Sequence, residues 1–360
     1  MLKVFKYRLY PNMKQKAKLS ETLWLCSIVY NMCLAERRDC WDLGGHSVNK
    51  YDQINRLPEL KAVDNRFLGV HSQILQDVIR RLDKTFEAFF RRVKAGEKPG
   101  YPRFRPARRY DSFTFPQAPS GCQLQGNKLV LSKIGAVKVK LHREVPGKVK
   151  TVTILRQADG WYVCFSCEVE PKVLPISDTS VGVDLGLESF AITSDGEFFE
   201  SAKYLRKAER NIKRLQRQAS RRKKGSNRRK KAVRLLAKAH LHVANQRKDT
   251  AHKVARALVN RYQTVVIEDL QVKNMVKNHH LAKSISDAGW NLFIHILMSK
   301  AAEAGREVVK VDPRYTSQTC SGCGALVPKK LSVRWHSCEC GCELHRDVNA
   351  ARNILRKAAT

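Results

Sequence analysis

Apolar and charged positions alternate roughly over residues 1–10, where Leu2, Val4, Tyr7 and Leu9 sit among Lys3, Lys6 and Arg8. This predicts a strand that Pro11 ends. The period then changes. Asn12 followed by Gln15 has the spacing of a helix N-cap box, and Leu19, Leu23, Cys26, Tyr30 and Cys33 lie on one helical stripe behind it. A second stripe, Ile74, Val78, Leu82, Phe86 and Phe89, predicts a helix over Ser72–Val93, so 11–100 is expected to form a helical module. Gly96, Pro99, Gly100 and Pro102 mark its end. Over 101–175 the period is two. Lys128–Leu131, Ala136–Leu141, Thr151–Arg156 and Gly160–Val169 are short and bounded by Gly, Pro or Asn, as in an antiparallel sheet or small barrel. The strand at 1–10 is compatible with that sheet, the helical module then being an insertion.

The second half has another order. Ser180–Ile192 and Thr193–Phe199 read as two strands of a hairpin turning at Asp195-Gly196, and 205–256 is helical and very basic. A buried strand over Arg261–Leu270, a helix over 288–304 and a strand at Glu307–Val311 follow. A cysteine cluster and a helix from Asp347 complete the chain. Strands first, then alternating helix and strand, give an α/β order compatible with a ribonuclease H-like domain over 176–360.

Charge narrows the partners. Among 360 residues, 43% apolar, 68 Lys and Arg face 33 acids, a formal net charge of +35. That excess repels itself in a compact state unless a polyanion neutralises it. A membrane surface would need an apolar span or anchor. In the C-terminal half the longest apolar run, Leu292–Met298, is interrupted by His295 and too short to span, and the N-terminus lacks the apolar block of a signal peptide. The expected partner is therefore nucleic acid, the expected location cytoplasmic.

Acids are scarce enough to be informative. Asp184 lies in VGVDLGLESF, on the strand face opposite Val181, Val183, Leu185 and Leu187 and between Gly182 and Gly186, whose missing side chains would leave room for a metal ion and a phosphate. Glu268 closes the apolar strand TVVIED, with Asp269 beside it, and Asp347 begins the helix HRDVNAARNIL. Taken singly, Glu268 or Asp269 suits a solvated strand end and Asp347 a helix N-cap, whereas an unpaired Asp184 on a central strand is costly. Three such carboxylates would suit two magnesium ions, because hard cations choose oxygen.

Eleven cysteines divide by position. Cys26, Cys33 and Cys40 recur every seven residues in a predicted helix, as packed groups do, and Cys122 stands alone. Cys164 and Cys167 sit three apart on a strand and so face opposite ways. Cys320-Ser-Gly-Cys323-Gly is a thiolate knuckle, and Cys338, Cys340 and Cys342 offer three thiols for the remaining two places of a tetrahedral zinc. Generic spacing accepts Cys338 with Cys342. In the basic stretch, Arg221, Arg222, Lys223 and Lys224 precede Gly225-Ser226-Asn227, and Arg228, Arg229, Lys230 and Lys231 follow it. With few acids to pair them, two helices straddling a phosphate backbone are expected.

The segments VGVDLGLESFAITSDG, VVIEDL and YTSQTCSGCG leading to HRDVNAARNIL resemble, in order, the three RuvC-like motifs and the zinc ribbon of the TnpB family. The opening YRLYPNMKQ and the passage PGYPRFRPARRYDSFTFP resemble it too, so the likeness covers nearly the full chain. It implies a multidomain α+β and α/β fold. A wedge-like β-barrel (1–10 and 101–175) would be interrupted by a helical recognition module (11–100). A ribonuclease H-like RuvC domain (176–360) would follow, with a basic hairpin at 205–256 and a zinc ribbon at 314–345. Asp184, Glu268 and Asp347 become the catalytic triad and its two-magnesium ligands. The family pattern selects Cys340 over Cys342 beside Cys320, Cys323 and Cys338. The implied activity is cleavage of double-stranded DNA matched by a guide RNA from the transposon end, beside a short flanking motif. The competing expectations are a nuclease-silent guide-directed binder or repressor, a DNA-joining transposase and a zinc-containing RNA-binding protein.

Overall fold

The computed structural model describes residues 1–118, 120–330 and 333–358. Pro119, Leu331, Ser332, Ala359 and Thr360, which fall in the expected wedge, ribbon and terminal segments, lie outside the described residues. The chain divides into two units, Met1–Glu170 and Pro171–Thr360.

In the first unit β1 (Leu2–Tyr10) is followed by α1 (Met13–Gly44), α2 (Lys50–Asn55), α3 (Leu57–Val63) and α4 (Ser72–Lys94). Then come β2 (Ser112–Phe115), β3 (Cys122–Gln125), β4 (Lys128–Leu131), β5 (Gly135–Lys140), β6 (Lys148–Gln157) and β7 (Gly160–Glu168). The strands form one sheet in the order β2-β6-β7-β1-β5-β4-β3, with β1 antiparallel to both β7 and β5. The helices are thus inserted after the sheet's central strand. Among the described residues no ladder joins β2 to β3, so the sheet has two edges and is curled, not a closed barrel.

The α1 cap forms as its spacing predicts. Gln15 N donates to Asn12 Oδ1 at 2.9 Å and Asn12 N to Gln15 Oε1 at 3.0 Å. The helix ends at Gly45, whose φ of 62° is left-handed. In β1 the face is set by Phe5, Tyr7 and Leu9, which are buried, while Leu2 and Val4 are exposed. Grouping Leu2 and Val4 with Tyr7 and Leu9 mixes two phases of one strand, and the core keeps the odd phase. Cys26, Cys33 and Cys122 pack in this core, and along β7 Cys167 is buried whereas Cys164 lies on the other face.

In the second unit β8 (Ser180–Asp184), β9 (Ser189–Thr193) and β10 (Phe198–Glu200) precede α5 (Tyr204–Ser220), α6 (Asn227–Arg261) and β11 (Thr264–Glu268). After them come α7 (Val272–Met275), α8 (His279–Ala288), α9 (Trp290–Ala304), β12 (Glu307–Val311), β13 (Trp335–Ser337), β14 (Glu343–His345) and α10 (Arg346–Arg356). The expected strand 180–192 is two strands. The chain leaves β8 after Asp184 and returns antiparallel as β9, with Asp184 opposite Ile192. The β9–β10 turn does fall at Asp195-Gly196, where Gly196 has φ 87°. The sheet order is β10-β9-β8-β11-β12, with β11 parallel to β8 and β12. Val181, Val183, Val265 and Ile267 pack against residues of α6 and α9, whereas Val266 clusters with Ile354 of α10. The two faces of the sheet therefore carry different helices.

Candidate active site

Three acids distant in sequence meet at one end of this sheet. Gly182 pairs with Val266 and Val183 with Ile267, so Asp184 and Glu268 end adjacent parallel strands at one level. Both lie on the face that alternation gives to Gly182 and Val266, the face covered by α10. A Cβ built on Gly182 would sit 2.0 Å from the Ala351 carbonyl oxygen and 2.7 Å from Leu355 N. From Ala351 back to Asp347 the helix rises about 6 Å, and from Gly182 to Asp184 the strand advances about 6.6 Å. Asp347 thereby reaches the level of Asp184. The sequence reading of the two glycines needs correction. Gly182 admits a helix, not a metal and phosphate, and a Cβ on Gly186 would lie 2.9 Å from Ser189 O in the turn to β9.

The electrostatics agree with convergence. Burial first, then the charges of Glu268 and Asp347, push the Asp184 carboxyl well above the usual carboxylate range, against the Arg346 guanidinium and the Leu185 N–H. Glu268 is 7% exposed, and burial raises its carboxyl too, against a hydrogen bond donated by the Thr316 hydroxyl at 2.6 Å and the charge of Lys357. Its neighbour Asp269 is exposed and paired with Lys310 at 3.2 Å, so the structure separates the two acids of the IED segment. Asp347 is not the helix cap. That position belongs to His345, whose Nδ1 accepts from Asp347 N at 3.3 Å. Among the described residues the three carboxylates do not close to within 4.8 Å of one another, as the cysteines do.

The sulphurs of Cys320, Cys323, Cys338 and Cys340 all lie within 4.8 Å of one another, a cluster that could bind a zinc ion. Cys320 and Cys340 are 3.7 Å apart and Cys323 and Cys338 3.6 Å. A tetrahedral zinc with thiolate bonds of ~2.3 Å needs edges of about 3.8 Å, so the donor set fits. Gly322 makes the convergence possible, since a Cβ there would stand 3.2 Å from Cys340 Sγ and 3.4 Å from Cys320 Sγ. Burial works to raise the Cys320 thiol, but backbone N–H groups of Cys323 and Gly322 and the His336 ring hold it down at about 5. At Cys340 the backbone N–H of Cys342 works downward, yet the Cys323 and Cys338 thiols outweigh it and push it up to about 12. A bound cation would let all four ionise together. Cys342 stands beside the cluster, grouped with Cys320 and His336.

Two residues that the sequence reading did not single out tie this cluster to α10. Asn349 accepts from Ser321 N at 2.8 Å and donates to Thr319 O at 2.7 Å. Asn353, one turn on, donates to Thr316 O at 2.9 Å and Thr319 O at 2.6 Å. The available signal was two asparagines four apart in a short helix, residues with weak helix propensity unless their amides have work to do.

The basic stretch forms the hairpin of α5 and α6. Arg221, Arg222, Lys223 and Lys224 are exposed in its turn, and Arg228, Lys230 and Lys231 are exposed at the start of α6. Arg229 differs. Its Nη1 donates to Ala219 O at 2.7 Å and Arg222 O at 3.1 Å, closing the end of α5, so it holds the hairpin's shape and is the exception in the expected phosphate-binding set.

Comparison with known proteins adds the following. Residues 164–279 match a family model described as "Probable transposase", 290–354 one described as "Cas12f1-like, TNB domain", and 1–46 a "Helix-turn-helix domain", where the structure has β1 and the single helix α1. A protein of Streptomyces pristinaespiralis named "Putative RNA-guided DNA endonuclease" is 36% identical over 98% of this chain and 88% of its own. One of Escherichia coli K12, "Putative RNA-guided DNA endonuclease InsQ", is 32% identical over 98% of this chain and 92% of its own. The cryo-EM structure of CasPhi-2 (Cas12j) bound to crRNA superposes with a TM-score of 0.51 at 11% identity, covering 100% of this chain and 98% of that one, which shows a shared fold.

Proposed function

The chain belongs to the TnpB family, and on that premise we propose that it is an RNA-guided DNA endonuclease of a transposable element, cutting guide-matched DNA beside a short flanking motif. The observation that carries this reading is the meeting of Asp184, Glu268 and Asp347 at the ends of β8, β11 and α10, with Asp184 under the charge of both partners. In this reading 176–360 is a RuvC-like nuclease domain with a zinc ribbon at 314–345. Residues 1–10 and 101–175 are the wedge, and 11–100 the recognition module.

The three carboxylates hold two magnesium ions. When bound, the pair supplies charge that stabilises the attacking and leaving oxygens of a phosphodiester. The chain's own part is positioning. Thr316 fixes one oxygen of Glu268, Gly182 lets α10 bring Asp347 to the strand ends, and Arg346 offsets part of the negative charge. Cys320, Cys323, Cys338 and Cys340 hold a structural zinc, because four protein ligands leave no open position for water. The exposed cations of the α5–α6 hairpin grip phosphates, which supply affinity while base pairing supplies sequence choice. Guide RNA and double-stranded DNA are thus the partners, and among the described residues no helix is long and apolar enough to cross a membrane.

The test is Asp184→Ala, assayed with copurified RNA and magnesium by gel shift and by cleavage of a target library with randomised flanks. The variant is expected to bind guide and matched DNA near normally and to cut nothing. Cleavage that persists would move the active site elsewhere. Joined strands among the wild-type products, instead of free ends, would replace this reading with DNA joining.

A further inference from the structure

Outside the acidic and cysteine sites, the first unit carries a cavity of about 450 Å³ in its helical module. Its walls are aromatic: Trp41 from the end of α1, Phe86, Phe89 and Phe90 from the last turns of α4, and Tyr101 from the segment beyond. Tyr101 meets Phe86 and Phe89 edge-on at 5.7 and 5.5 Å, and Phe90 stacks on Phe86 at 6.3 Å. These contacts fix Phe90 and Tyr101 without covering them, for Phe90 stays 54% exposed and Tyr101 46%, and Trp41 on the cavity wall is 63% exposed. An open aromatic cluster of this kind is a binding surface more often than a packing fault.

The polar lining narrows the ligand. Arg37, only 9% exposed, donates through Nε to Gln53 Oε1 at 2.9 Å and through Nη1 to Asp83 Oδ1 at 3.0 Å, with its guanidinium 5.1 Å from the Phe86 centroid. Its Nη2 is buried and finds no acceptor among the described residues. A guanidinium pinned on two sides with one donor unmet is prepared for an acceptor from outside. The lining also carries Asp83, held by Arg37, and Glu87. Cations stand beyond it: Arg91, Arg92 and Lys94 are exposed in the last turn of α4, directly after Phe89 and Phe90, while Arg38, over the Phe104 ring, is paired with Asp39 at 2.7 Å.

Flat aromatic walls, a buried donor and nearby cations match a ligand with a π-face, an acceptor edge and flanking phosphates. We infer that this cavity takes an unstacked nucleobase of a single strand, its ring against Trp41 and Tyr101, its acceptor edge towards Arg37, and its phosphates on Arg91, Arg92 and Lys94 at the end of α4. An apolar peptide would leave both the donor and the cations unmatched. This rests on the nucleic-acid-binding reading above but uses none of its residues.

The experiment takes the full-length protein and labelled single-stranded RNA, single-stranded DNA and duplex DNA, with binding read by fluorescence anisotropy across a salt series. Tyr101→Ala and Trp41→Ala should each weaken single-strand binding roughly ten-fold, the scale of one missing base stack. Tyr101→Phe should stay near wild type. The salt slope should hold, because stacking releases no counterions. Ultraviolet cross-linking of the copurified RNA should label a peptide containing Trp41 or Tyr101. A loss confined to RNA assigns the base to the guide, one confined to DNA assigns it to a target strand, and either supports the site. Alanine variants that melt like wild type and bind all three probes like wild type would overturn it. So would a change in molecular mass by light scattering, which would give the cavity to a second copy of the chain. Wild type failing to bind any probe would remove the nucleic-acid reading and this one together, whereas unaffected variants of a binding wild type remove this one alone.

Discussion

At Asp184 the protein holds a carboxyl where burial and two neighbouring acids oppose ionisation more than Arg346 and one N–H favour it. The folded value therefore lies above that of the unfolded chain, near ~3.9. Between the two values the folded state binds the extra proton. Stability of the ion-free protein is thus fully present at low pH and declines as pH rises towards the folded value. The slope approaches about 1.4 kcal/mol per pH unit for one proton. Asp184→Asn removes the titration and the repulsion. Without divalent cations the variant is expected to melt above wild type at neutral pH, and the two should converge in acid, where protonated Asp resembles Asn. Magnesium should raise the wild-type Tm and leave the variant's unchanged. Melts across pH with chelator and with magnesium check this, and a variant that melts lower at neutral pH would show that the carboxyl is not under stress. The thiols allow a parallel measurement. Metal content should be near one zinc per chain, lost in Cys320→Ser and kept in Cys164→Ser, because the β7 strand turns Cys164 and Cys167 to opposite faces.

Elements decide whether those residues meet, and the clearest case is α10 lying on β8. A methyl at Gly182 would strike the Ala351 carbonyl at 2.0 Å, a backbone atom that no rotamer change can move. Gly182→Ala should cost at least the ~1–3 kcal/mol of ordinary overpacking and should shift Asp347 away from the strand ends. Cleavage is then expected to fall by orders of magnitude while guide binding persists. Equal melting and cutting in variant and wild type would mean that the helix has room to spare. This contact was not legible in the sequence, where a glycine beside Asp184 looks like space for a ligand. Its true partner is about 170 residues away. Features settled by near neighbours were legible, such as the Asn12–Gln15 cap and the long stripes of α1 and α4. β2 and β3 went unread although β4, equally short, was legible; the difference is β4's unbroken apolar run Leu129-Val130-Leu131 behind Asn127. The strand 180–192 was read as one because its apolar run continues through the turn after Asp184. The three acids stood out in sequence by scarcity and place, Asp184 between glycines on a strand, Glu268 at a strand end and Asp347 at a helix start, and the family resemblance joined them as a set. Thr316, Asn349 and Asn353 did not, because their partners are backbone atoms or side chains dozens of positions away or brought close only by the fold.

For the molecule as a whole, the governing quantity is a net charge of +35, which a bound polyanion would relieve. The α5–α6 hairpin concentrates that charge, and within it solvent-exposed cations differ from one that closes the hairpin. Arg228, Lys230 and Lys231 extend into solvent, whereas Arg229 is bonded to Ala219 O and Arg222 O. Replacing the three exposed residues together by Gln should weaken RNA and DNA binding alike, since phosphate contacts carry no sequence information. Every phosphate left without its cation should also lower the magnitude of the slope of log affinity against log salt by about 0.7–0.9. Arg229→Gln should act differently. It leaves the last carbonyls of α5 without their donor, so stability should fall by the ~1.5–3 kcal/mol of a broken charged hydrogen bond, read as a lower Tm. The salt slope should barely move. Measuring both quantities for both variants distinguishes the roles. A triple variant with an unchanged salt slope would make the hairpin a solvated face, and an Arg229 variant that flattens the slope without loss of Tm would return that residue to the binding set.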